Sequence, residues 1–206
     1  MKTILFQGDS ITDCGRSREV DTVYGEGYAA LITAALGYEA PGAYKFLNRG
    51  IGGNRIVDLY ARIKCDFINL KPDVLSILIG VNDVWHEAEI QNGVDNDKFF
   101  KIYCMLIEEI KEALPDTKIM IIEPFVLKGP ATEKAWDFFS TEVPKRAQKA
   151  KEVAEKFGLP FITLQDKFDE AATKCEPTYW LADGVHPTLA GHELIKNAWL
   201  EAFKAL

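Results

Sequence analysis

The chain has 206 residues, with 24 Lys plus Arg against 31 Asp plus Glu and only three His. That length suits one domain, here 1–206, with a single substantial core, and 48% hydrophobic with 27% charged residues is a globular balance. A formal net charge of −7 argues against nucleic acid, which needs clustered Lys and Arg, and three histidines argue against a His-rich metal centre.

Short apolar runs alternate with helical patterns along the chain. Thr3 to Phe6 is a strand-like run that ends at Gly8. Gly27 to Leu36 carries Tyr28, Leu31, Ile32 and Ala35 at helical spacing. A strand over Tyr44 to Leu47 stops at Asn48-Arg49-Gly50, and Ile56 to Leu70 reads as one helix through Leu59, Ile63, Phe67 and Leu70. Val74 to Ile79 is continuously apolar, as in a strand buried on both faces. A helix over Phe99 to Leu114, a strand over Lys118 to Ile122, a helix over Lys145 to Phe157 closed by Gly158, and a strand over Phe161 to Leu164 follow. Pro187 to Leu206 reads as the last helix. Five strands alternating with helices predict an α/β fold, a flavodoxin-like three-layer α/β/α sandwich with a five-stranded parallel sheet. In such a sheet, sites form beyond the carboxyl ends of the strands.

The expected cellular setting follows from what the chain does not contain. The start, MKTILFQGDS, has too short an apolar run for a signal peptide, and no run reaches the ~20 residues of a membrane span. Cys14, Cys65, Cys104 and Cys175 are far apart and read as free thiols. The expectation is a cytoplasmic protein.

Four loops carry polar groups. Gly8-Asp9-Ser10-Ile11-Thr12-Asp13 follows the first strand, so Ser10 is either an exposed nucleophile or a helix cap. Gly50-Ile51-Gly52-Gly53-Asn54 follows the second strand and has three readings: a weak dinucleotide loop, a tight turn, or a backbone donor for an oxyanion at Gly52. Gly80-Val81-Asn82-Asp83 follows the third; the Asn82 amide is an uncharged oxyanion donor or a turn former. Asp83 with His86 is one acid–histidine pair, and Asp183-Gly184-Val185-His186 is another. His192 falls in the last helix without an acid partner and reads as structural.

Together and in this order, these segments resemble the GDSL, or SGNH, hydrolase family, with Ile11 in place of the leucine of the family name. The resemblance implies Ser10 as nucleophile, His186 as general base and Asp183 as its orienting acid. It implies an oxyanion hole of the Ser10 and Gly52 N–H groups and the Asn82 side chain, and no metal or organic cofactor. Asp9 and Asp83 are then structural. The runs at 8–16 and 81–85 are similar to cytoplasmic bacterial acetylxylan esterases, which implies removal of acetyl groups from xylo-oligosaccharides or related sugars. Trp85 and Trp180 are candidate sugar-stacking residues, and a homo-oligomer is compatible with the resemblance. The alternatives are a broad carboxylesterase or lysophospholipase with the same triad, and a non-catalytic flavodoxin-like binding domain. The aromatic segment 125–144 is a lid, an interface or a helix docked on the core.

Overall fold

The computed structural model describes residues 1–206. Strands β1 (Lys2–Gly8), β2 (Tyr44–Asn48), β3 (Val74–Leu78), β4 (Lys118–Ile122) and β5 (Phe161–Ile162) form one parallel sheet in the order β2-β1-β3-β4-β5. The expected α/β sandwich is the fold observed. The helices are α1 (Ser10–Asp13), α2 (Tyr28–Glu39), α3 (Ile56–Ala61), α4 (Ile63–Asp66), α5 (Val81–Ile90), α6 (Asn96–Ala113), α7 (Trp136–Phe157), α8 (Gln165–Ala172), α9 (Pro177–Trp180) and α10 (Leu189–Phe203). None is long and apolar enough to cross a membrane.

Side chains of a strand alternate between its faces, and the two faces of this sheet feed two separate cores. Ile4 and Phe6 of β1, with Met120 and Ile122 of β4, pack with Ile32 of α2 and Ile195 and Trp199 of α10. Leu5, Ile119 and Ile121 point the other way, onto Leu59 of α3, Tyr103 and Ile107 of α6, and Val153 of α7. Both faces are covered, which is why the strands read as unbroken apolar runs. All four cysteines are free.

Several expectations need correction. The predicted helix 56–70 is three pieces, broken at Arg62 and Phe67, because the backbone at both residues leaves the helical region. Pro187 is not in the first turn of the last helix. Thr188 is the N-cap of α10, its hydroxyl accepting from Gly191 N–H, and Pro187 instead bridges to Leu181. Of the three readings of 125–144, burial favours the one that docks it on the core. Phe125 and Phe139 are fully buried, and Phe125 lies 4.4 Å from the ring of Phe168.

Candidate active site

The site forms where β1, β2 and β3 end. Gly8 closes β1, and the chain turns at once into the single turn of α1, with Ser10 as its first residue. Asp9, not Ser10, caps this helix: its buried carboxyl accepts from Ile11 N–H at 3.0 Å. The Ser10 hydroxyl is therefore free for other work, and the Ser10 N–H, in the first turn, has no intrahelical acceptor. The glycine loop lies against this turn. Gly50 must be glycine, since a Cβ there would collide with the Asp13 backbone, and a Cβ on Gly52 would lie 3.8 Å from Ser10 Cβ. Asn48 Nδ2 donates to Thr12 O, and Ile51 N–H donates to Gly8 O, locking the two loops together.

From the far end of the chain comes the loop between α9 and α10. His186 Nε2 lies 2.8 Å from Ser10 Oγ, and His186 Nδ1 lies 2.7 Å from Asp183 Oδ2. Asp183 Oδ1 also accepts from the N–H groups of Val185 and His186. Burial alone would raise the Asp183 pKa, but these hydrogen bonds outweigh it and hold the carboxylate at about 2. An ionised Asp183 only accepts, so Nδ1 carries the imidazole proton and Nε2 turns its lone pair to Ser10. The bond to Asp183 raises His186 above 6.5, with burial opposing.

The supports of this loop escaped the sequence reading. Leu127 N–H donates to Gly184 O and Ala131 N–H to Asp183 O. Thr132 Oγ1 accepts from Gly129 N–H and donates to Leu127 O, which folds this strap tightly. Gly184 has a φ of 100°, and a Cβ there would crowd Leu127 and Thr132. The Gly129-Pro130 pair marks a turn in the sequence, but nothing local says which loop it grips.

The other expected residues fall into two groups. Asn82 sits in the first turn of α5 and donates one amide N–H to Asn54 O at 3.1 Å, leaving its second N–H for a ligand. Gly52 N–H faces the Asp13 carboxylate at 3.2 Å, and Asp13 is itself paired with Arg18. The Trp85 ring stands 5.8 Å from that of His186. Trp180, by contrast, lines a groove between α8 and α10 that none of Ser10, Asp183 and His186 borders. Its neighbour Leu181 is buried and bridges to Pro187.

Asp83, Asp9 and His192 make their contacts inside the protein, and His86 Nε2 lies 3.9 Å from where a Cβ on Gly53 would stand. Asp83 is fully buried and accepts from Ile56 N–H rather than facing His86. Burial pushes its pKa well above the usual carboxylate range. Burial likewise pushes Asp9 to about 7 against its bond from Ile11. His192 is buried, accepts from Tyr28 N–H at 3.1 Å and approaches Cys14 Sγ at 3.4 Å; burial lowers it to about 4, so it stays neutral.

Comparison with known proteins identifies the family. The GDSL-like Lipase/Acylhydrolase family matches residues 6–194. An acetylxylan esterase of Geobacillus stearothermophilus is 33% identical over 204 residues, covering 96% of this chain and 91% of that protein. A structure described as a GDSL-like lipase from Parabacteroides merdae superposes with a TM-score of 0.92 at 38% identity, over 100% of this chain and 96% of the other. A catalytic mutant of the Geobacillus esterase superposes with a TM-score of 0.87 at 31% identity, over 98% and 93%. The chain belongs to the GDSL-like lipase/acylhydrolase family and is a carboxylic ester hydrolase.

The two acid–histidine pairs make opposite predictions. Asp83→Asn keeps the size of the side chain and an oxygen to accept from Ile56 N–H, and is expected to hold kcat on p-nitrophenyl acetate within about fivefold. Asp183→Asn is expected to lower it by ~10⁴, through loss of the correct tautomer. A loss from Asp83→Asn as large as that from Asp183→Asn would restore the Asp83/His86 pair.

Proposed function

We propose that the protein is a serine esterase that removes small acyl groups, acetyl above all, from xylo-oligosaccharides or related sugars. The observation that carries this reading is the unbroken row Ser10 Oγ, His186 Nε2, His186 Nδ1 and Asp183 Oδ2, with spacings of 2.8 and 2.7 Å. In this reading His186 takes the Ser10 proton as Oγ attacks the ester carbonyl carbon. Charge gathers on the carbonyl oxygen, where Ser10 N–H and the second Asn82 N–H donate. Gly52 N–H is the third donor, once the ester oxygen competes with Asp13 for it. His186 then gives the proton to the leaving sugar oxygen. Water, activated by the same imidazole, releases acetate from Ser10 and restores the free hydroxyl. The serine proton leaves on the sugar hydroxyl, and water supplies the proton that restores Ser10 and the oxygen that leaves in acetate.

Two further facts support the sugar ester. The relatives include an acetylxylan esterase, whose solved catalytic mutants are at a serine, an aspartate and a histidine. Trp85 offers an aromatic face beside His186, suited to stacking on a sugar ring. Four free thiols fit action in a reducing compartment such as the cytoplasm.

Acetate release from acetylated xylo-oligosaccharides, together with hydrolysis of p-nitrophenyl acetate, butyrate and octanoate, tests the substrate. The expected order falls steeply with acyl length, and acetylated sugar outruns lysophospholipid. Rates that climb with chain length would favour the lipase reading. The pH profile tests the base. Because neutral His186 is the active form and its pKa lies above 6.5, kcat/KM should rise with pH through a midpoint above that value. In Asp183→Asn the supporting charge is gone, so the midpoint of the residual activity should move down. A midpoint unmoved by Asp183→Asn would separate Asp183 from the base.

A further inference from the structure

The break that divides the expected helix 56–70 falls on Arg62, whose side chain is 11% exposed. Its guanidinium uses all three nitrogens on three different segments. Nε donates to Asn54 Oδ1 at 2.9 Å, Nη1 to Asp66 Oδ2 at 2.9 Å, and Nη2 to Gly8 O at 3.3 Å. Each partner has a place in the site. Gly8 is two residues before Ser10. Asn54 ends the glycine loop, and its carbonyl is the acceptor that fixes the Asn82 amide. Asp66 belongs to α4 and closes the fork from behind.

We infer that Arg62 is a positioning residue for the oxyanion site, acting through Asn54 on the Asn82 amide; this rests on Asn82 being an oxyanion donor. An amide can rotate about its terminal torsion with little resistance. What stops Asn82 from doing so is the Asn54 carbonyl, which occupies one N–H and so directs the other. The Asn54 carbonyl is only as fixed as its own residue, and the one side chain bonded to the Asn54 amide oxygen is Arg62. The same guanidinium holds Gly8 O, so the Ser10 N–H and the Asn82 N–H are referenced to one rigid planar group. A lysine carries the charge but offers no planar fork for three diverging acceptors. Such preorganisation matters most where charge develops in the transition state, so its loss belongs in kcat rather than in substrate binding.

A double-mutant cycle with p-nitrophenyl acetate reads this directly. Arg62→Lys, Arg62→Met and Asn54→Ala are each measured alone and with Asn82→Ala, alongside the melting temperature. Arg62→Met is expected to lower kcat by ~10–100-fold with KM changed less than about threefold, and Arg62→Lys to recover little of it. In the Asn82→Ala background the Arg62 effect should shrink to less than about threefold, because its target is gone. If Arg62→Met does not fold, Asn54→Ala, which keeps the backbone carbonyl but loses the Arg62 contact, should show the same coupling. Equal losses with and without Asn82 would overturn the link, as would full rescue by Arg62→Lys. If Asn82→Ala alone keeps its kcat, the donor assignment fails and the link with it. If Asn82→Ala is impaired but additive with Arg62, only the link fails.

Discussion

The contact on which the site depends joins the two ends of the chain: Ser10 Oγ meets His186 Nε2 at 2.8 Å across 176 residues. Neither partner reaches the other by local structure. The serine is delivered by β1, an interior strand flanked by β2 and β3, and by the one turn of α1 that Asp9 caps. The histidine is delivered by a loop held at three points: the Leu181–Pro187 bridge, the strap 127–132, and the Thr188 cap of α10. A hydrogen bond of this kind needs sub-ångström placement of both partners. The fold supplies it by packing α10 against α2 and β1, with Trp199 of α10 lying 5.6 Å from Phe6 of β1.

Three aspartates in the motif loops show how burial and hydrogen bonding divide the acids. Asp9 and Asp83 are fully buried, and each accepts from one backbone N–H; burial dominates and raises both. Asp183 is less buried and accepts from two backbone N–H groups and the His186 ring, and it alone is pulled down. Identical side chains thus become two structural carboxyls and one fixed anion. The histidines divide in the same way. His186 gains an acid partner and rises, whereas His192, buried against Tyr28 with no acid, is kept neutral. The motif carboxylate that its hydrogen bonds pull down stands beside the imidazole that can use it.

The fold was largely legible because a parallel sheet covered on both faces leaves unbroken apolar runs, such as Val74 to Leu78, which periodicity detects. Short helices were not: α1 and α9 have four residues each, too few to show a period. The break at Arg62 was hidden because Leu59, Ile63, Phe67 and Leu70 keep helical spacing across it. In the site, Ser10, Asp183 and His186, which the structure brings into one hydrogen-bonded row, stand in motif loops and could be named. Those that hold them could not: Asp13 meets Gly52 N–H and Arg62 meets Gly8 O from distant parts of the chain, and the strap that Thr132 folds locally grips Asp183 and Gly184 only through the fold. Trp180 shows the opposite error. It is near Asp183 along the chain, yet it lines a groove between α8 and α10 that none of Ser10, Asp183 and His186 borders.

The central claim is that the hydroxyl joined to His186 is the group that attacks the ester. Peptide mapping by mass spectrometry after treatment with a fluorophosphonate tests it most directly. One adduct per chain is expected, on Ser10, formed in step with loss of esterase activity and slowed severely in His186→Ala. An adduct on another residue, or full esterase activity in protein whose Ser10 is quantitatively modified, would contradict it.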